Sequence, residues 1–281
     1  MDNHYLPQYY LRGFCQGSGQ GIWVYDKRES RKFATQIKSI ASICDFYPPE
    51  LEKHLTENVE GPANCVLKKI RNRELLTPTE KITLSIYIAV MWKRVPEGKN
   101  RFKEQVPGIA TDFQEKLHRQ LEEFLAKNPS KEDLVQRRKA EIDDVLDRYS
   151  QEPPEEIWHN VIPTDRASQM VEALATMTWR FLTFDEEPAF LTGDNPVFYF
   201  SRLGIGRAES ELSFPVSSHV TLWATRRIDL TEGYFPATTE FVKEINRRTA
   251  SITTRYMFHA NDEDWILPFS AKGSWRLNRI R

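Results

Sequence analysis

The sequence is poor in cysteine and has no excess of charge of either sign. Its 281 residues include three cysteines, Cys15, Cys44 and Cys65, an odd number without a CxxC or other zinc-type spacing. We therefore expect no disulfide framework and interpret them as buried thiols of a reducing compartment. Lys and Arg (39) nearly balance Asp and Glu (40), so no overall electrostatic field directs the chain to nucleic acid or to an acidic membrane.

Segments that would export or anchor the chain are also missing. Met1 to Phe14 lack the basic start and the apolar core of a secretory signal. The most apolar run, Ile82 to Trp92, is far shorter than the roughly 20 residues that cross a bilayer, and it contains polar residues. We expect a cytoplasmic protein without membrane contact, in which this run is a core helix.

Compact catalytic signatures are absent as well. The six histidines show no HxH or HExxH spacing, and there is no GxSxG elbow, Walker loop or dinucleotide fingerprint. Gly17, Gly19 and Gly21 precede a strand candidate rather than a helix, so we interpret them as a turn and not as a phosphate loop. The cofactor is therefore unknown, and a divalent metal would need a site assembled by the fold.

The clearest helix signal lies near the middle of the first hundred residues. Thr77, Pro78 and Glu80 provide an N-cap, a first-turn proline and a capping-box carboxylate. They predict a helix that runs to about Arg94, where Pro96 and Gly98 are expected to end it.

Three further segments carry helical patterns. Residues 50–69 have apolar residues at near-helical spacing, interrupted by Gly61 and Pro62, which predicts one bent helix or two short ones. The charged stretch at about 99–156 predicts two surface helices in an antiparallel hairpin. Residues 165–182 predict another amphipathic helix.

After residue 183 the apolar pattern changes to the period of a β-strand. One helix, over residues 238–251, interrupts the strand candidates, which lie at 189–192, 197–201, 211–214, 219–225, 255–259 and 265–269. We predict the α+β class: a helix-rich single domain over residues 1–281, with a C-terminal antiparallel sheet and a charged helical hairpin at about 99–156.

The first polar string that could carry chemistry lies at the N-terminus. If this segment is helical, the spacing of eight residues puts His4 and Arg12 on the same side, where they could hold an anion. The alternative is that Tyr10, Leu11 and Phe14 dock the terminus, while His4 and Arg12 satisfy backbone carbonyl groups.

A second polar string lies between two strand candidates. Asp194 and Asn195 precede Pro196 in the sequence TGDNPV, a setting that favours an Asx-type turn. Such a turn can also display Asp194 as a general base or metal ligand and Asn195 as a group that orients a substrate. The sequence leaves both interpretations open.

Two more charged residues lie at helix irregularities. Glu60 directly precedes Gly61 and Pro62 and could be a buried functional carboxylate or an ordinary surface residue. Arg94, at the end of the central helix, could complement the helix dipole or reach into a pocket.

These strings together resemble a bacterial family, the domain of unknown function numbered 4238. The resemblance covers nearly the whole chain, and the helices from Lys99 to Glu156 are its least characteristic part. It departs at Gly193, where the turn of the family is expected to carry Ser. The motifs that carry it are HYLPQYYLRGF from His4, IWVYDK, Glu60 with Gly61, the corner Arg94 to Pro96, TGDNPV, and FPVSS from Phe214 to Ser218.

The resemblance supplies no reaction or ligand, but it implies that separate segments contribute His, Arg, Glu, Asp and Asn to one site. Our first hypothesis is a hydrolase of a phosphodiester or similar anionic substrate, nuclease-like and associated with defence. The alternatives are a non-catalytic ligand-binding or sensor module, for an anionic small molecule or nucleic acid, and a structural network that fixes the N-terminus to the sheet. The residues assigned as acid, base or metal ligand are His4, Glu60 and Asp194, and those assigned to substrate binding are Arg12, Arg94 and Asn195.

Overall fold

The residues that the computed structural model describes are 2–17, 19–187, 189–270 and 276–280. The chain separates into two compact units, the first formed by Met1–Pro96 with Pro163–Arg281 and the second by Glu97–Ile162. About half of the chain is helical and the remainder contains several sheets, so the predicted α+β class is confirmed. The single domain expected over residues 1–281 stays a prediction. In the described ranges, no helix combines the length and apolar character needed to cross a membrane.

The helices vary from one turn to more than eight turns. They are α1 (Gln8–Leu11), α2 (Pro49–His54), α3 (Gly61–Arg71), α4 (Pro78–Arg94), α5 (Pro96–Lys127), α6 (Glu132–Gln151), α7 (Glu155–Val161), α8 (Gln169–Ala175), α9 (Thr239–Ile252) and α10 (Ile266–Ser270). A π-helical turn, Leu55–Glu60, joins α2 to α3 without a break. The predicted irregularity before Gly61 and Pro62 is thus confirmed. Pro62 has no N–H group for the α-helical bond to the carbonyl of Asn58, which accounts for the altered spacing.

Helix α4 begins as the sequence predicts. The Thr77 side chain accepts a hydrogen bond from the Glu80 amide over 3.3 Å, and the Glu80 carboxylate accepts one from the Thr77 amide over 2.8 Å. The helix ends at Arg94 because Val95 is extended. The predicted end near Arg94 is thus confirmed. Pro96 is then the first residue of the next helix, α5, a position where its missing N–H costs nothing, and Gly98 lies inside α5.

The charged hairpin predicted at about 99–156 is confirmed in the second unit. Gln114 of α5 donates to Asp143 of α6 over 2.6 Å, and Lys139 of α6 lies 2.9 Å from Glu122 of α5. These contacts place the two helices side by side.

The strands form two main sheets and one small pair. They are β1 (Asp2–His4), β2 (Gly21–Asp26), β3 (Arg31–Gln36), β4 (Ser42–Cys44), β5 (Thr178–Thr183), β6 (Thr192–Gly193), β7 (Phe198–Tyr199), β8 (Glu211–Ser217), β9 (Val220–Thr225), β10 (Gly233–Pro236) and β11 (Tyr256–His259). One sheet has the order β10-β5-β9-β8-β7, in which only the β10–β5 pair is parallel, and the other has the order β3-β2-β11-β6. Strands β1 and β4 form an antiparallel pair.

Two secondary-structure predictions are wrong. The helix predicted over 165–182 is helical only over Gln169–Ala175, and Thr178–Thr183 form β5 because they pair along their whole length with β9. The segment predicted as a strand at 265–269 is instead the helix Ile266–Ser270. The side chain of Ile266 packs into the core beside α9 and β11. In both cases long-range packing outweighs a local pattern.

Candidate functional site

Three residues predicted from the sequence, His4, Glu60 and Arg94, meet at one place in the first unit. Arg94 Nη1 lies 2.5 Å from Glu60 Oε1, and Arg94 Nη2 donates to the backbone oxygen of His4 over 2.7 Å. The Arg94 side chain is 1% exposed and that of Glu60 is 17% exposed. The Arg94 cluster, as we use the term, consists of Asn3, His4, Tyr47, Glu52, Glu60, Tyr87 and Arg94.

The two terminal nitrogens and one face of the Arg94 guanidinium are held within this cluster. Its guanidinium carbon lies 5.5 Å from the centre of the Tyr47 ring, and the Tyr47 hydroxyl donates to the Arg94 backbone oxygen. Burial opposes the charge of the guanidinium, but Tyr47 and Glu60 outweigh burial and raise the pKa of Arg94. A cation so deeply buried requires its counter-ion, so the pair with Glu60 holds the end of α4 against β1.

Glu52 is the second carboxyl group of the cluster and lies in a different environment. Its Oε2 accepts a hydrogen bond from Asn3 Nδ2 over 3.2 Å. Burial is the main cause that raises the pKa of Glu52; the charge of Glu60 adds to it, whereas Arg94 and His4 oppose it. The cluster thus contains one ion-paired carboxylate and one desolvated carboxyl group, an arrangement suited to separate acid and base roles.

The imidazole of His4 does not touch the guanidinium of Arg94. Its Nε2 lies 3.2 Å from the backbone oxygen of Lys38, and the side chain is partly exposed. His4 therefore reaches Arg94 through its backbone and offers its ring to the edge of the cluster, where its charge influences Glu52.

Two buried polar atoms of the cluster have no hydrogen-bond partner in the described part of the chain. They are the hydroxyl of Tyr87 and Nε of Arg94. Burial and the charge of Glu60 raise the pKa of Tyr87 well above its ordinary value, so the hydroxyl keeps its proton. An unpaired buried donor costs about 1–3 kcal/mol, so a ligand oxygen that accepts from it would be stabilised at this position.

Asp194 is buried, and its carboxylate is occupied by hydrogen bonds within the chain. It is 4% exposed, and its carboxylate accepts hydrogen bonds from Thr254 N (2.8 Å), Thr254 Oγ1 (2.8 Å), Arg255 N (2.7 Å) and Tyr256 N (3.0 Å). Burial raises the pKa of Asp194, although these hydrogen bonds favour the ionised form. The bonds attach the TGDNPV turn to the start of β11.

Asn195 continues this attachment along the chain. Its Nδ2 donates to the backbone oxygen of Ile252 over 3.0 Å, at the end of α9. The hydrogen bonds of Asp194 and Asn195 therefore go to the connection between α9 and β11 and not to members of the Arg94 cluster. The structure divides the predicted residues between two networks.

Gly193, the departure from the family motif, is explained by a neighbouring side chain. A Cβ atom at this position would lie 2.0 Å from Thr253 Oγ1 and 3.1 Å from Thr253 Cβ. Thr253 is buried and donates to the Thr249 backbone oxygen over 2.8 Å, so it cannot move away freely. Glycine is required here because Thr253 fills the space that a serine would need.

Arg12 is exposed, and its guanidinium carbon lies 5.8 Å from the centre of the Tyr9 ring. The arginine that satisfies backbone carbonyl groups in this region is Arg71. It donates to Tyr9 O over 3.2 Å, to Tyr10 O over 3.0 Å and to Val216 O over 3.3 Å. The structural role that the sequence offered to Arg12 is thus performed by a residue of α3.

The cysteines agree only in part with the sequence analysis. All three are free thiols, and Cys15 is buried, which raises its pKa to about 11 and makes it a poor nucleophile at neutral pH. Cys44 and Cys65 are exposed, so the expectation of three buried thiols is wrong. Cys65 lies on α3 outside the buried face formed by Ala63, Val66, Leu67 and Ile70.

Sequence reasoning missed Glu52, the desolvated carboxyl group of the cluster. Glu52 lies eight residues before Glu60 on the same helical segment, but nothing local distinguishes it from other helical glutamates. Among the described residues, no three or more His, Cys, Asp or Glu side chains form a group that could hold a metal ion. A metal at the site therefore stays a prediction from sequence.

Comparisons with known proteins give one result. Neither a search of curated proteins nor a search of solved structures finds a match. The model of the family described as "Protein of unknown function (DUF4238)" matches residues 2–263, which include the Arg94 cluster and the TGDNPV turn. The chain therefore belongs to this family.

Proposed function

We propose that the protein is a hydrolase of a small anionic substrate and that the Arg94 cluster is its active site. The observation that carries the proposal is the raised pKa of Glu52 beside the ion-paired Glu60. A carboxyl group that keeps its proton above its usual pH range can donate that proton to a leaving group. Glu52 is only half-buried, so a substrate can reach it from solvent.

The other members of the cluster have separate roles in this proposal. His4, partly exposed beside Glu52, is the second proton-transfer group. Arg94 provides a fixed positive charge whose position is set by Glu60. The buried positive charge of Arg94 favours an anion at the open edge of the cluster. Asp194 and Asn195 position the chain and take no part in the reaction.

The substrate class is tested with bis(4-nitrophenyl) phosphate, 4-nitrophenyl phosphate and single-stranded DNA and RNA, each with and without EDTA. We expect turnover of at least one of them that EDTA does not abolish. Glu52→Gln should lower kcat by about 100-fold or more at an unchanged unfolding midpoint. Glu57→Gln, which changes an exposed carboxyl group in the π-helical turn that follows α2, is the matched control and should keep full activity. No turnover of any probe, or equal activity of Glu52→Gln and wild type, would refute the proposal.

A non-catalytic ligand-binding or sensor module is the second candidate. It is favoured by the two unpaired buried donors, the Tyr87 hydroxyl and Arg94 Nε, which could hold a ligand oxygen. In this case inorganic phosphate should raise the unfolding midpoint of the wild type by more than that of Tyr87→Phe, without turnover. Equal stabilisation of both proteins would reflect the general effect of a kosmotropic salt and would exclude this candidate.

A further inference from the structure

A second feature of the first unit lies away from the Arg94 cluster. A cavity of about 490 Å³ opens between α9, α10 and the chain segment that precedes β6. Its volume lies in the range of roughly 300–1,000 Å³ that is usual for small-molecule sites. The lining consists of Phe184, Glu187, Ala189, Thr239, Val242, Lys243, Asn246, Arg247, Glu263, Trp265 and Phe269.

The apolar part of this lining is aromatic and rigidly supported. The rings of Trp265 and Phe269 lie 5.5 Å apart at nearly a right angle. The amide of Asn246 accepts from Leu191 N over 3.0 Å and donates to Ala189 O over 2.8 Å, so both its polar ends serve to hold the wall. Asn246 is therefore not available to a ligand, and an aromatic ring is the natural occupant of this part.

The polar part of the lining carries charges of both signs. Lys243 and Arg247 lie one turn apart on α9 and face the cavity together with Glu187 and Glu263. Arg247 Nη1 lies 3.4 Å from Oε2 of the buried Glu244. Lys243 and Glu187 form no ion pair with any described residue. The cavity therefore has one positively and one negatively charged side chain that can pair with a ligand.

We propose that this cavity binds a small aromatic zwitterion of the aromatic amino-acid class. The ring occupies the aromatic wall at Trp265, the carboxylate is held by Lys243 with Arg247, and the ammonium group is held by the acidic side chains. Glu263 is oriented for this purpose because its Oε2 accepts from the indole N–H of Trp265 over 3.1 Å. Two cations and two carboxylates around an apolar floor complement a molecule that has both charges and no net charge.

The test compares three probes by isothermal titration calorimetry on the full chain. L-Phenylalanine has both charges, 3-phenylpropionate has only the carboxylate and phenethylamine has only the ammonium group. We expect L-phenylalanine to bind with a Kd of about 1 mM or tighter and the two singly charged probes to bind about tenfold more weakly. Lys243→Met and Glu263→Gln should each weaken L-phenylalanine by about tenfold, whereas Lys68→Met, on the exposed face of α3, should not.

Each remaining outcome decides against the proposal. Equal affinity for L-phenylalanine and 3-phenylpropionate, with no effect of Glu263→Gln, would show a simple carboxylate site. No heat with any of the three probes, on protein that circular dichroism shows to be folded, would exclude an aromatic zwitterion site. Glu52 does not line this cavity, so Glu52→Gln should leave L-phenylalanine binding unchanged. The hydrolase proposal can therefore be refuted without affecting the binding result, and the binding proposal can be refuted without affecting the hydrolase assay.

Discussion

Replacement of Asp194 by alanine separates a structural from a catalytic role most clearly. In the folded protein its carboxylate accepts three backbone amides and the Thr254 hydroxyl at 2.7–3.0 Å, in a position that is 4% exposed. The alanine side chain leaves all four donors without an acceptor, and the space is closed to bulk solvent.

The cost follows from these contacts. One buried donor without a partner costs about 1–3 kcal/mol. Water that enters the vacated space can accept hydrogen bonds from some of the four donors and thus reduces the total free-energy cost. We therefore expect Asp194→Ala to lower the free energy of unfolding by about 3–5 kcal/mol, a large part of the roughly 5–15 kcal/mol of a typical protein. Asp194→Asn retains one acceptor oxygen but turns an NH₂ group toward a donor, so its loss should be smaller, about 2–3 kcal/mol.

Urea unfolding followed by circular dichroism measures both losses. Asp229→Ala, which removes an exposed carboxylate paired with Arg227, is the control and should leave the unfolding midpoint unchanged. If Asp194→Ala unfolds at the same urea concentration as the wild type, the carboxylate does not hold the turn. The original interpretation of Asp194 as a catalytic or metal-binding residue would then return.

Three further predictions concern stability. Tyr87→Phe should leave the free energy of unfolding unchanged or higher, because the Tyr87 hydroxyl is unpaired. Tyr47→Phe should lower it by about 1–2 kcal/mol, because the Arg94 backbone oxygen loses its donor. Urea unfolding in which Tyr87→Phe is the less stable variant would contradict this. Glu52 has a raised pKa in the folded state, so the folded state holds this proton more tightly than the unfolded state. As the pH rises from below 4.5 through that pKa, the wild type should therefore lose stability relative to Glu52→Gln. If the urea midpoints of the two proteins change in parallel between about pH 4 and pH 8, Glu52 is not desolvated. Gly193→Ser should lower the unfolding temperature because the serine side chain clashes with Thr253. Thr253→Ala should recover part of this loss in the double variant. If the losses of the two single variants simply add in the double variant, there is no clash.

Local signals in the sequence predicted those parts of the fold that depend on neighbours along the chain. The capping box of Thr77 and Glu80 is closed within four residues, so the start of α4 could be predicted correctly. Thr178–Thr183 become a strand through pairing with β9 and β10, both more than thirty residues away, and their spacing of apolar residues imitates a helix. The helix prediction failed there because the deciding contact is not local.

The candidate site shows the same limit at the level of single atoms. The sequence motifs correctly predicted that His4, Glu60 and Arg94 lie close together. They could not indicate that His4 contacts Arg94 through its backbone oxygen rather than through its ring. They could not separate Asp194 from this set, because its hydrogen bonds run to residues sixty positions later. Glu52 left no signal, since its raised pKa results from burial that only the fold creates.

The central claim, that Glu52 is a desolvated acid at the Arg94 cluster, is tested most directly by NMR titration of the glutamate carboxyl carbons. The resonance of Glu52 is identified by its absence from Glu52→Gln. The account predicts a midpoint above the ordinary value of 4.5, which rises further in His4→Ala because the charge of His4 opposes the shift. A midpoint at or below 4.5, unaffected by His4→Ala, would contradict it.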